Sequence, residues 1–165
     1  MFSLPPLFAL LCLVAWASAA VQTDFDAELE GWRVTGDNAA AWSGLGNPGG
    51  CLSVNDLAIG DDNRAIAPLV LLGNWSGLSN ADTLSLDYFF QNTSGGAIVP
   101  AAYVFCIAGP GGAAHAIANY VPPQSAWTDL RVGMAAANWI LESGTWGGLL
   151  ADVNSLTIAG EFVTG

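Results

Sequence analysis

Thr83-Leu84-Ser85-Leu86-Asp87-Tyr88 is the stretch on which the fold class turns. In an extended chain Leu84, Leu86 and Tyr88 fall on one side and Ser85 and Asp87 on the other, the period-two pattern of a strand buried on one face. Outward from it, short apolar stretches recur at 21–25, 32–35, 51–54, 65–71, 98–107, 113–120, 127–132 and 155–162, with the first strand itself covering 83–90. Turn formers separate them: Gly46-Asn47-Pro48-Gly49-Gly50, Gly60-Asp61-Asp62-Asn63, Asn92-Thr93-Ser94-Gly95-Gly96 and Gly109-Pro110-Gly111-Gly112. About nine short strands at this spacing predict an all-β sandwich or barrel. One short helix is predicted near the C-terminus over 147–153, with 134–140 as a second candidate. No internal repeat, charge run or Pro-rich linker divides the chain.

Composition narrows the partners. Fourteen Asp and Glu stand against three basic residues, giving a formal net charge of -11. The basic residues are Arg33, Arg64 and Arg131, with no lysine. Phosphate binding needs a basic patch that releases counterions, so nucleic acid is excluded as a partner, and an anionic membrane surface with it. Charged residues are 10% of the chain and hydrophobic ones 53%, against roughly 25% charged in ordinary soluble domains. Such a composition folds rather than remaining disordered.

Residues 1–19 read as a signal peptide, leaving 20–165 as one domain. An apolar run over 4–16 leads into Ala17-Ser18-Ala19, the small-x-small form of a cleavage site, although no Lys or Arg precedes it. The run is too short to span a membrane, and no later stretch is long enough. A secreted or extracellular location is therefore expected. Cys12 leaves with the leader, and Cys51 and Cys106 remain in an oxidising compartment, where they can form a disulfide or stay as two buried thiols. Strand register decides between the two.

Catalytic signatures are sparse. His115 is the single histidine, set in an apolar alternating stretch, and reads as a strand residue facing solvent or a polar neighbour. Three His and Cys residues without ligand spacing do not make a zinc site. Paired carboxylates suffice for a glycoside hydrolase, but fourteen acids offer too many pairs for one to stand out. Asp61 and Asp62, or Asp24 and Asp26, could supply oxygens to a structural calcium, without an EF-hand pattern. No other cofactor is implied. Among the tryptophans, Trp32 and Trp127 sit where strands should pack and read as core. Trp42, Trp139 and Trp146 lie beside Gly, Ser and Asn and are the candidates for stacking on sugar faces. Asn74-Trp75-Ser76 and Asn92-Thr93-Ser94 are glycosylation sequons.

The order of landmarks resembles a family. Phe25-Asp26 with Glu30-Gly31-Trp32, then Gly46-Asn47-Pro48-Gly49-Gly50-Cys51-Leu52-Ser53, Ala67-Pro68, Leu72-Gly73-Asn74-Trp75-Ser76 and Thr83-Leu84-Ser85-Leu86-Asp87 are similar to the laminin B (laminin IV) domain. Trp127 with Leu130 and Val132, and Leu156-Thr157-Ile158-Ala159-Gly160-Glu161-Phe162, continue the likeness. The resemblance implies a jelly-roll-like β-sandwich of about eight or nine antiparallel strands, similar to carbohydrate-binding modules. It also implies a final strand beyond the point where this sequence stops, hence a domain lacking its last strand, and an aromatic where Cys51 stands. The expected function is a secreted, non-catalytic binding or adhesion module for glycans or extracellular matrix and cell-surface components. The alternatives are a carboxylate-based glycan hydrolase or an accessory domain of one, and a structural surface domain without a small ligand.

Overall fold

The computed structural model describes residues 21–36, 39–55 and 63–164, so the expected leader at 1–19, Asp61 and Asp62 lie outside the described residues. In chain order the elements are β1 (Arg33–Val34), β2 (Ala39–Ser43), β3 (Cys51–Asn55), β4 (Arg64–Ile66), β5 (Thr83–Phe89), β6 (Ala97–Ile98), β7 (Ala101–Gly109), β8 (Gly112–Tyr120), β9 (Trp127–Gly133), β10 (Ile140–Gly144), α1 (Trp146–Ala151), β11 (Ser155–Ala159) and β12 (Val163–Thr164). Six strands form one antiparallel sheet in the order β1-β4-β11-β7-β8-β10, and the pairs β5-β9, β2-β3 and β6-β12 complete the chain. The class is all-β, a sandwich with one short helix near the C-terminus. No helix among the described residues is long and apolar enough to cross a membrane.

Strand alternation builds the core. Leu84 and Leu86 stand opposite Val132 and Leu130 across β5 and β9. They pack with Val104, Phe105, Ile107, Leu156 and Ile158 of the large sheet and Leu149 and Leu150 of α1. Phe105, Ile107, Leu149 and Leu156 are almost fully buried, and each such side chain contributes on the order of 2 to 3 kcal/mol from area removed from water. Tyr88, on the same inner face, donates its hydroxyl to the Ala159 carbonyl at 3.1 Å. Burial raises its phenol above the ordinary range, with the Arg64 charge a smaller opposing influence, so it stays a donor.

Proline and backbone satisfaction redraw several of the expected boundaries. Residues 21–25 form no strand. The stretch at 65–71 leaves the sheet at Ile66: Ala67 still donates its N–H to Leu156, but Pro68 has none to give, and Leu69–Leu71 turn into a short 3-10 helix. Pro100 likewise separates β6 from β7. β2, β10 and β12 lie outside the expected stretches. β2 is Ala-rich, a residue depleted in strands, and is held by its five-residue register against β3. The second helix candidate, 134–140, is instead a 3-10 turn at Ala136–Asn138 followed by β10. Ala135 offers no side-chain cap there, and the Gly133 carbonyl is taken by the side chains of Asn138 and Trp139.

Helix α1 is only six residues long and begins with two glycines after Trp146, so propensity does not sustain it. Burial of Leu149 and Leu150 and the Thr145 cap do. Thr145 Oγ1 accepts the Gly148 N–H at 3.1 Å. Thr145→Ala should therefore lower stability by about 1 kcal/mol, read as a lower urea midpoint at unchanged slope. A midpoint equal to that of the parent would show that the cap contributes nothing.

Candidate functional site

The β5-β9 ribbon keeps one face on the core and turns the other to solvent. Its outer face carries Thr83, Ser85, Asp87 and Phe89 on β5, directly opposite Gly133, Arg131, Asp129 and Trp127 on β9. Phe89 is 42% exposed, and its ring lies 5.5 Å from that of Trp127 at 48°. A cross-strand aromatic pair at that spacing is a favourable one. Next along the ribbon, Asp87 faces Asp129, and Arg131, two residues along from Asp129, offsets one of the two charges. The Arg131 guanidinium reaches Asp129 Oδ2 through Nε at 2.6 Å and Nη2 at 2.5 Å. That hydrogen bond holds the Asp129 carboxyl below the usual carboxylate range and raises Arg131. An apolar ring surface thus abuts a strip of oxygen acceptors and one fixed donor fork. This arrangement can stack against an apolar ring face while exchanging hydrogen bonds with hydroxyls around it.

Trp127 corrects the expectation of a core side chain: it is half-buried on the outer face. Its parity with Asp129 and Arg131, and the parity of Phe89 with Ser85 and Asp87, were the signals for this placement.

The three tryptophans expected in exposed loops divide. Trp139 is buried, donating its indole N–H to the Gly133 carbonyl at 3.1 Å. Trp146 packs on the core 5.6 Å from the Trp139 ring. Trp139 therefore offers no face to a ligand, whereas Trp146 is half-buried. Trp42 is 41% exposed, on β2, with its indole N–H donated to the Phe25 carbonyl at 2.5 Å. Its ring runs along Gly44 and Gly50; a side chain at Gly50 would collide with both the indole nitrogen and that carbonyl. Trp42 belongs to the β2-β3 hairpin and does not extend the β5-β9 face.

Cys51 and Cys106 are two separate thiols rather than a disulfide. Cys51 stands opposite Ser43 in the β2-β3 hairpin, whereas Cys106 is in the large sheet with its Sγ 3.2 Å from the Arg64 guanidinium. His115 is buried, and Glu142 is its polar neighbour, 3.0 Å from Nδ1. Asp24 and Asp26 are exposed, and the described residues hold no group of three or more His, Cys, Asp or Glu able to bind a metal. Asn63, which follows Asp61 and Asp62, is fully buried, and neither side-chain amide atom has a hydrogen-bond partner. Of the sequon asparagines, Asn74 is exposed, while the Asn92 side chain is committed to its own turn through Ser94, Gly95 and Gly96.

The fold and this face define an all-β sandwich with an aromatic and acidic ribbon open to solvent. No protein-family model matches the chain, and neither a curated protein nor a solved structure is significantly similar to it.

Proposed function

We propose that the chain is a secreted, non-catalytic binding module of the laminin B type, whose β5-β9 outer face takes neutral glycans, free or carried by extracellular matrix components. The observation that carries this reading is the exposed Phe89-Trp127 pair beside Asp87, Asp129 and Arg131. The C–H face of a pyranose ring is apolar and would lie on the two rings, while its hydroxyls donate to the carboxylates and accept from the guanidinium. A net charge of -11 and two carboxylates on the face disfavour sulfated or uronic-acid polymers. The leader and the family resemblance supply the extracellular setting.

Hydrolysis is the second reading, because Asp87 and Asp129 are a cross-strand carboxylate pair. A hydrolase, however, needs one of its two acids protonated at working pH to give a proton to the leaving oxygen. The hydrogen bond from Arg131 holds Asp129 in its charged form, so in that reading the proton donor would have to be the exposed Asp87, with Asp129 as base or nucleophile.

Retention on insoluble neutral polysaccharides and on matrix proteins tests the proposal, with a reducing-sugar assay alongside. Trp127→Ala should weaken retention at least about tenfold, the size expected for an aromatic anchor, while Trp42→Ala leaves it unchanged. Because the Asp129 pKa is lowered, its charge, and with it retention, should persist as pH falls through the ordinary carboxylate range. Retention that survives both Trp127→Ala and Phe89→Ala would refute this face as the site. Sugar release abolished by Asp87→Asn would establish the hydrolase. Failure of every glycan to bind or to shift the melting temperature would leave a structural surface domain.

A further inference from the structure

The large sheet gathers a second set of reactive groups on the face opposite Phe105, Ile107, Leu156 and Ile158. Cys106 lies between Phe105 and Ile107 on β7 and pairs directly with His115 on β8 and Thr157 on β11. Cross-strand partners share a face with Cβ atoms roughly 5 Å apart, so thiol and imidazole are neighbours. From β4, Arg64 crosses the same face, with Nε on Thr157 Oγ1 at 2.9 Å and Nη2 3.2 Å from Cys106 Sγ. From β10, Glu142 Oε1 sits 3.0 Å from His115 Nδ1. The imidazole is stacked on Tyr103 with ring centroids 3.3 Å apart, and its side chain is 5% exposed. His115 Nε2 is buried and has no hydrogen-bond partner among the described residues.

A carboxylate at Nδ1 fixes the proton there and leaves Nε2 as the lone-pair nitrogen. A buried acceptor without a donor costs on the order of 1 to 3 kcal/mol; the thiol of Cys106, the cross-strand partner of His115, is not hydrogen-bonded to Nε2 in this structure, and its approach during reaction would supply that donor. A cation beside a sulfur favours the thiolate, which is the attacking form. Thiol, base and base-orienting carboxylate, with a guanidinium at the sulfur, are the parts of an activated nucleophile. The same groups do not converge as metal ligands.

We propose that Cys106 is a reactive thiol that forms mixed disulfides with low-molecular-weight disulfides. His115 Nε2 takes the thiol proton, and the Cys106 sulfur attacks one sulfur of the disulfide. The S–S bond of the reagent breaks as the bond to Cys106 forms, and the leaving thiolate takes the proton from His115. The reagent disulfide is itself the oxidant, one of its sulfurs leaving reduced as a thiol while the Cys106 sulfur is oxidised, and a free thiol reverses the step. Glu142 acts as a positioning residue through His115.

The whole chain, incubated with glutathione disulfide at neutral pH and sampled over time, gives the rates at Cys106 and Cys51 separately by peptide mass spectrometry. Both cysteines are half-buried, so Cys51 is an internal reference for accessibility and unfolding. Cys106 should react at least about tenfold faster than Cys51. Glu142→Gln, at a side chain 56% exposed, should slow Cys106 several-fold with the Cys51 rate and melting temperature unchanged. A merely structural loss would speed both thiols together and overturn the assignment. So would a native chain in which Cys106 reacts no faster than Cys51, or a Cys106 rate indifferent to both Glu142→Gln and His115→Asn.

Discussion

Gly111→Ala is expected to cost at least about 3 kcal/mol, far more than one methyl group ordinarily does. Gly111 is at the tip of the β7-β8 hairpin, between Gly109 and Gly112, which face each other across the strands. A Cβ built on it would lie 2.0 Å from the Gly148 carbonyl oxygen and 2.7 Å from the Leu149 backbone nitrogen. Those are backbone atoms of α1, which cannot rotate aside as a side chain would. Relief requires the helix to move, and Leu149 and Leu150 would leave their core positions with it. The hydrogen bond from Thr145 N–H to the Gly111 carbonyl would be strained too. In a domain of this length the loss should lower the melting temperature by about 6 to 12 °C. Gly147→Ala, in the helix that Gly111 abuts, is the control: nothing lies within 4 Å of the added carbon. There, replacing glycine should be neutral or stabilising by up to about 1 kcal/mol. Equal melting temperatures for the two variants would refute this account of the hairpin tip.

Arg64→Met should cost about 3 kcal/mol, although it keeps much of the side-chain length. The guanidinium donates to Thr157 Oγ1 and to the Tyr103 and Val104 carbonyls, and it contacts Cys106 Sγ. It thereby ties β4 to β11 and, beyond it, to β7. A thioether satisfies none of these acceptors. Hydrogen bonds from a charged donor are each worth on the order of 1.5 to 3 kcal/mol, and stranded acceptors keep their desolvation cost. Urea unfolding followed by tryptophan fluorescence reads the change. Arg131→Met, on the exposed ribbon face, should by comparison move the midpoint little. An Arg64→Met midpoint within experimental error of the parent would show that the carbonyls find other donors.

Much of the sandwich could be read from residues alone because its strands advertise themselves by alternation. β5, β9 and β11 fall within a residue or a few of the expected stretches, since Leu, Val and Ile at every second position have one physical solution, and the alanine-rich β8 matches its stretch as well. β2 was hidden because three alanines carry no pattern, and only its pairing with β3 makes it a strand. The site was half visible. Phe89 and Trp127 each share parity with acidic and polar neighbours, which is enough to put them outside, but the habit of reading tryptophan as core outweighs parity when strands are taken one at a time. Trp139 failed in the opposite direction. Its loop-like neighbours suggest exposure, whereas the chain turns back within six residues so that the Gly133 carbonyl takes its N–H, a geometry that composition does not encode. Likewise the partners of Cys106 come from β4, β8 and β11, spread over much of the chain.

The hold on Arg64 has a practical corollary. Without lysine, trypsin can cut the chain only after Arg33, Arg64 and Arg131. The bond after Arg64 lies in β4, which is hydrogen-bonded to β1 on one side and β11 on the other. A protease must draw an extended segment into its cleft, so that bond is cleavable only while the large sheet is open. The rate at which the 64–65 bond is lost therefore measures the opening of the central sheet, and the chain carries its own unfolding gauge without any label.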